Sequence, residues 1–357
     1  MTVPFSKNEI IQDGESGKVT LNPPISPREN YIRAAKHQNP LWIPMKSDAV
    51  NFAPRIYPDN VARAFVVEGQ PYDGPVGGPD IFGVTWKYIP VAGGSMVEPG
   101  KPFLSDISQW KEKVRFPDID SWDWEKSAEE NQEFLNTDRL ITAWIFSGMF
   151  ERLISFVDFE AAAVALIDED QQDDVKELFQ ALTDYYRNLI DHFVDYYHID
   201  AVFFHDDWGS QRAAFFSLET CREMLVPYMK QIVDHCHSRN VLFDFHSCGK
   251  NESLVPAMIE CGMDMWGGQP MNDKQMLAKT YGEEILIGAH DPYMPGQKPV
   301  PEDDDELYRQ VEGFLEPYAA DIKKKPLFIM NLRPNDRVIA AFYECSRKLL
   351  CGQGEEI

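Results

Sequence analysis

The stretch AVFFHDDWGSQRAAFFSLETCREMLVPYMKQIVDHCHSRNVLFDFHSCGK, residues 201–250, decides the fold. A five-residue apolar run ends in His205, a polar turn follows, residues 218–240 carry a helical pattern, and a second apolar run closes on His246. Apolar runs of four to six residues alternating with longer helical stretches mark βαβ units and a parallel sheet. The alternation continues downstream, where strands at 263–266, 285–289 and 327–330 precede helices at 273–281, 303–323 and 336–350. A further helix is expected over 253–261. Upstream, residues 140–146 (LITAWIF) read as a strand, with helices following from Asp158 and Val175, and residues 40–45 and 64–67 supply two more strands. Eight strands are what a closed parallel barrel requires. No GxGxxG or Walker sequence follows any strand, which removes the nucleotide-binding open sheets. The expected fold class is therefore α/β, a (β/α)8 TIM barrel. A single domain spans 28–357 behind an N-terminal extension, 1–27. Residues 69–126, rich in Gly, Pro and Trp, hold a hairpin (FGVTWKYIP) and read as an insertion capping the barrel mouth.

Composition narrows the function. Of 357 residues 44% are hydrophobic, which is ample for a buried core, and the formal net charge is -24. Such a surface repels nucleic acid and anionic membranes. No apolar run reaches the ~18 residues of a membrane span. Residues 1–18 carry Glu9, Asp13 and Glu15, unlike a signal or transit peptide, so a soluble cytoplasmic protein is expected. All six cysteines lie after residue 220, and a cytosolic chain of this size has no need of disulfides. A homodimer is compatible with the sequence.

In a barrel, chemistry belongs at the carboxyl ends of the strands. Those ends deliver His205, Asp206 and Asp207, then Asp244, His246 and Cys248, then His290 and Asp291, with Glu151 just beyond residues 140–146. In extended backbone, residues i and i+2 face one side, so His246 and Cys248 project together as a half-site for Zn2+, which takes N and S ligands. Spacing alone favours the plainer account, a hydrogen-bonded histidine beside a buried cysteine. Asp206 and Asp207 read equally as catalytic or ligating carboxylates and as a cap and turn. His290-Asp291-Pro292 fits a strand-ending turn as well as a site. Trp144 and Trp208 could line an apolar pocket or simply pack.

FGVTWKYIP with Pro99-Gly100 and FPDID (116–120), GMFER (148–152), HDDWGSQ (205–211) and FHSCGK (245–250) together resemble the uroporphyrinogen decarboxylase-like superfamily over residues 28–350. The resemblance implies the barrel and a site at its carboxyl end. It divides between true decarboxylases and zinc methyltransferases that work with a corrinoid protein. Decarboxylases carry an arginine-containing segment after the first strand, whereas residues 41–48 read LWIPMKSD. Lys46 alone is a weak grip for an octa-anionic porphyrinogen. HxCG, here His246, Cys248 and Gly249, resembles the zinc branch, although the cysteine that follows the last strand in its thiol-methylating members is replaced by NLRP, 331–334. The resemblance thus implies methyl transfer from a small methylated donor, such as a methoxylated aromatic, to a corrinoid protein. Zn2+ would sit on His246 and Cys248. Asp206, Asp207 and Glu151 would act as catalytic or further ligating groups, and His205, His290, Trp208 and Trp144 would hold the donor. A porphyrinogen carboxy-lyase and a non-catalytic corrinoid- or tetrapyrrole-binding barrel are the alternatives.

Overall fold

The computed structural model describes residues 3–13, 18–90, 94–293, 297–330 and 335–354. The NLRP segment, on which the missing cysteine was noted, lies outside them. Two compact units divide the chain, one of residues 1–50, 138–140 and 264–357, the other of residues 51–137 and 141–263. In chain order the first unit opens with β1 (Ile10–Gln12), β2 (Val19–Leu21) and α1 (Pro27–Ala35), and β3 (Ala49–Phe52) crosses the boundary. The second unit holds α2 (Pro58–Ala62), β4 (Gly78–Pro79), β5 (Thr85–Ile89), β6 (Gly94–Val97), α3 (Trp110–Lys113) and α4 (Trp124–Leu135). It continues with β7 (Leu140–Ile145, all but its first residue), α5 (Met149–Val157), α6 (Phe159–Ala165), α7 (Gln172–Tyr197) and β8 (Ala201–His205). Then come α8 (Leu218–Met224), α9 (Val226–Ser238), β9 (Leu242–His246) and α10 (Val255–Cys261). The first unit resumes with β10 (Met265–Trp266), α11 (Lys274–Tyr281), β11 (Leu286–His290), α12 (Asp304–Ala319), β12 (Leu327–Met330) and α13 (Asp336–Cys351).

In the second unit β7, β8 and β9 pair in parallel, with Thr142 opposite Ala201 and His205 opposite His246. Buried Leu178, Leu182, Leu189 and Phe193 give α7 one apolar stripe, and its Tyr186 meets Phe204 of β8 edge-on at 5.2 Å. The expected helix at 218–240 is interrupted at Leu225, and Pro227 stands in the first turn of α9, where its missing N–H costs nothing. FGVTWKYIP holds one strand and not a whole hairpin: β5 lies antiparallel between β4 and β6, which fall outside the segment, with Trp86 opposite Val97.

In the first unit β10, β11 and β12 pair in parallel, with His290 opposite Met330. Leu307, Val311 and Leu315 of α12 and Val338, Ala341 and Phe342 of α13 pack in one core with Trp42 and Ile329. The extension joins this unit. Glu9 accepts from Arg347 Nε and Nη2, both at 2.8 Å, and from the Tyr343 hydroxyl at 2.5 Å, and Phe5 bridges to Gln353. Burial would push the Glu9 carboxyl up, but the hydrogen bonds from Arg347, Tyr343 and Ser6 prevail and lower it.

These parallel strand–helix repeats make the fold α/β, of the TIM-barrel type. Two expected strands need correction. Residues 40–45 contribute only the bridge from Met45 to Ile329, because Pro40 and Pro44 have no N–H to give a ladder. Residues 64–67 contribute only an antiparallel bridge from Val67 to Ala53. Ala64 adopts φ +59°, which ends extended backbone there, and β3 takes the strand role instead. No helix among the described residues is long and apolar enough to cross a membrane.

Candidate active site

Parallel register builds the site. His205 and His246 are the last residues of β8 and β9 and stand opposite each other, so their rings lie 5.1 Å apart at 30°. Two residues on, Cys248 returns to the same side, with Sγ 3.5 Å from His246 Nε2. Behind His205 stands Glu151 of α5, whose Oε2 is 2.7 Å from His205 Nδ1. Glu151 Oε1 meets Arg63 Nη2 at 3.0 Å. His205 Nε2 faces Asp207 Oδ1 at 3.7 Å, and the same oxygen accepts the Cys248 N–H at 2.8 Å. All of these residues belong to the second unit.

The backbone around the cluster is fixed by close approach. Asp206, fully buried, accepts the N–H of Phe150 at 3.0 Å and of Glu151 at 2.8 Å, and the Trp208 indole N–H at 2.8 Å. It therefore caps the first turn of α5 and sets where Glu151 emerges. Room for this cap depends on Gly148, where a Cβ would lie 2.5 Å from Asp206 Cβ and 2.6 Å from Phe204 Cε1. Gly249 has φ +91°, and a Cβ there would stand 2.3 Å from the Gly209 carbonyl carbon. The glycine of HxCG thus lets the loops after β8 and β9 touch. Gly148→Ala is expected to cost about 1–3 kcal/mol in urea denaturation by overpacking. Unchanged stability would show that Asp206 moves aside freely.

The electrostatics are lopsided. Burial alone would raise the Glu151 carboxyl, but the Arg63 charge and His205 hold it down at about 2. Burial opposes a proton on His205, yet the charges of Glu151 and Asp207 raise its pKa. Burial and the neighbouring Glu151 charge push Asp206 to about 7, against the N–H groups it accepts. The Cys248 thiol is driven well above its ordinary value by burial, with Asp207 and Glu151 adding to the effect. One guanidinium, engaged by Glu151 and Ser147, thus stands beside a cluster of three carboxyls, a thiol and two imidazoles.

Glu151, His205, Asp207, His246 and Cys248 are brought together. Asp206 instead serves the backbone and Trp208. Trp208 is fully buried, 4.6 Å from the Phe245 ring. Trp144 stacks between Phe65 at 4.3 Å and Phe203 at 3.8 Å. His290 belongs to the first unit, where its Nε2 lies 2.9 Å from the Gly268 carbonyl. Burial lowers its pKa, and the Lys274 charge adds to that. Sequence reasoning missed Arg63 and Ser147. Their only signal was an arginine inside the apolar segment VARAFVV.

Two groups of three potential ligands have their donor atoms within 4.8 Å of one another: His205, His246 and Cys248, and Glu151, His205 and Asp207. In the second, the 2.7 Å contact of His205 to Glu151 is already a hydrogen bond. The first offers two imidazoles and a thiol, a donor set that suits Zn2+ and leaves a fourth position for substrate. The Glu151 contact puts the His205 proton on Nδ1, as a carboxylate behind a metal-binding histidine does.

Fold and site define an α/β-barrel protein with a histidine–cysteine–carboxylate cluster at adjacent strand ends. Residues 155–333, half of the chain, match the family described as uroporphyrinogen decarboxylase (URO-D), and the chain belongs to that family. Among solved structures it is similar to a methyltransferase from Methanosarcina mazei, at 13% identity and a TM-score of 0.57, over 90% of this chain and 99% of that one. That likeness establishes a shared fold. A sugar phosphate isomerase/epimerase from Parabacteroides distasonis, at 7% identity and a TM-score of 0.32 over 70% of this chain and 83% of that one, is too distant to bear on the site. No curated protein sequence matches the chain.

Proposed function

We propose that the chain is a zinc-dependent methyltransferase that moves a methyl group from a small methylated donor to the Co(I) of a corrinoid protein. The observation that carries this reading is the convergence of His205, His246 and Cys248 beside the Glu151 and Asp207 carboxyls. Family membership and the fold shared with the Methanosarcina mazei methyltransferase support it. A porphyrinogen decarboxylase fits poorly. Its octa-anionic substrate needs positive groups, whereas Arg63 is already engaged by Glu151 and Ser147 and Lys46 is exposed to solvent.

His205, His246 and Cys248 would hold Zn2+, which when bound supplies a Lewis acid for the heteroatom that the methyl group leaves. In the transfer the cobalt–carbon bond forms as the carbon–oxygen bond breaks, and the electron pair stays on the donor's oxygen. The departing oxygen takes up a proton from solvent, relayed by Asp207, which also accepts the Cys248 backbone N–H. Phe203, Trp144 and Phe65 form a continuous ring stack that begins beside His246, 5.6 Å from Phe203, and offers apolar surface to an aromatic donor.

The test is the absorbance change from cob(I)alamin to methylcobalamin across a panel of methoxylated aromatics and simple methyl ethers, with zinc-loaded protein. Methylation of cobalt by at least one donor is expected. Turnover of uroporphyrinogen without any cobalt methylation would replace this reading with the carboxy-lyase one.

A further inference from the structure

We infer that Arg63 is a positioning residue: its guanidinium fixes Glu151 so that the carboxylate's other oxygen holds the Nδ1 proton of His205, leaving Nε2 as the open nitrogen of that ring. The inference rests on the metal reading above, because an orientation of His205 matters most if Nε2 is a ligand.

Arg63 leaves α2 at its carboxyl end and is held on four sides. Nη2 meets Glu151 Oε1 at 3.0 Å and Nη1 donates to Ser147 Oγ at 2.9 Å. Its guanidinium carbon stands over the Trp86 ring at 4.5 Å and the Phe146 ring at 5.2 Å. Both partners of the ion pair are about nine-tenths buried at the side chain, 10% exposed each, so the pair is neither screened nor free to wander as a surface pair is.

The backbone at both ends of the arginine is strained. Ala64 and Ser147 have φ +59° and +60°, a region that non-glycine residues occupy at a cost of about 1–3 kcal/mol and keep only where the surroundings impose it. The Tyr186 hydroxyl pins the Ser147 carbonyl at 2.5 Å, which holds one strained residue in place under the Arg63 contact. Two of the residues held in this region, Ala64 and Ser147, flank the contact chain Ser147–Arg63–Glu151–His205, which ends on a candidate ligand.

The planar fork explains why an arginine stands here. Two nitrogens on one rigid group reach a hydroxyl and a carboxylate at once while the flat face rests on indole. A lysine ammonium would supply the charge without the fork or the stacking. A carboxylate behind a ligating histidine fixes its tautomer and ring orientation, and loss of such a partner lowers metal affinity by roughly 10–100-fold.

The decisive measurements are the 15N shifts of His205 in metal-free protein, at a pH above its titration where the ring is neutral, and zinc affinity by chelator competition, on wild type, Arg63→Met, Arg63→Lys, Glu151→Ala and the Arg63→Met/Glu151→Ala double variant. Arg63→Met should lose the single Nδ1–H tautomer of His205 and weaken zinc binding by roughly 10–100-fold, with Arg63→Lys recovering part of both. The double variant should be no worse than Glu151→Ala, because Arg63 acts through that carboxylate. Retention of the tautomer in a folded Arg63→Met protein, or additive losses in the double variant, would overturn the inference. Should wild type take up no stoichiometric zinc, the metal reading falls by itself, and the tautomer in metal-free protein still decides the role of Arg63.

Discussion

Replacing Arg152 by methionine is expected to destabilise the protein by about 3–5 kcal/mol, the cost of breaking a buried ion pair from one side. Arg152 is fully buried in α5. Its Nη1 donates to Asp80 Oδ2 at 2.6 Å and its Nη2 to Asp59 Oδ2. Asp59 also accepts the Tyr57 hydroxyl at 2.9 Å, and Asp80 the Trp86 indole N–H at 2.9 Å. Methionine fills similar volume and strands both carboxyls without a cation. Burial already raises the Asp80 pKa, with the Arg152 charge opposing. Without Arg152 the folded value climbs further above the unfolded one. Stability from the protonated form is then present below the unfolded pKa, ~3.9, and is lost as pH rises through the folded value. The deficit in urea denaturation should therefore be larger at neutral pH than near pH 4.5. Adding Asp59→Asn and Asp80→Asn should recover much of it, since a buried charge network often breaks even with neutral packing. A deficit that is small, or equal at both pH values, would show that water reaches the pair. The variant also bears on the site, because Asp59 lies in α2, the helix from which Arg63 emerges.

The strand–helix alternation was legible from 140 onward because those strands are short apolar runs bounded by clear helices. β8, β9, β11 and β12 fall within a residue or two of their expected places. The amino-terminal strands were not, because proline at 40 and 44 and the left-handed Ala64 act through backbone geometry that an apolar pattern does not record. At the site, His246 and Cys248 could be paired from their i, i+2 spacing. That His205 stands opposite His246 required the register of a parallel pair, which sequence does not supply. Asp206 and Asp207 looked alike as neighbours. Their partners differ, Asp206 taking the amide groups of α5 and Asp207 the Cys248 N–H in the cluster. Arg63, 88 residues before Glu151 and 142 before His205 by their numbers, had no local pattern to betray it, since long-range ion pairs leave none. GMFER was visible as a motif, yet of the partners of its arginine Asp80 sits in the insertion and Asp59 in a stretch for which no element was expected.

On the proposed reading, His246→Ala and Cys248→Ser should each abolish stoichiometric zinc and methyl transfer, a loss larger than the roughly 10–100-fold expected of an outer-shell change. Removing one of three protein ligands leaves two, which cannot hold a tetrahedral ion against a chelator. Cobalt(II) distinguishes the two positions. Co2+-loaded wild type should show thiolate-to-metal charge-transfer absorption, and Cys248→Ser should lack it at any metal concentration. The fold should survive both changes. The loop after β9 is held without the side chains of 246 and 248: Asp207 accepts the Cys248 N–H at 2.8 Å, the Asn251 amide donates to the Ser247 hydroxyl at 2.8 Å and to the Cys248 carbonyl at 2.6 Å, and the Ser247 hydroxyl accepts the Trp208 N–H at 2.8 Å. Metal-free wild type and both variants should therefore melt together, while zinc raises the midpoint of wild type alone by binding the folded state. Zinc retained at one per chain in a His246→Ala/Cys248→Ser double variant would move the ion to other ligands, and the Glu151, His205 and Asp207 group would be the place to look. A double variant that still methylates cobalt at the wild-type rate would detach the chemistry from this cluster altogether.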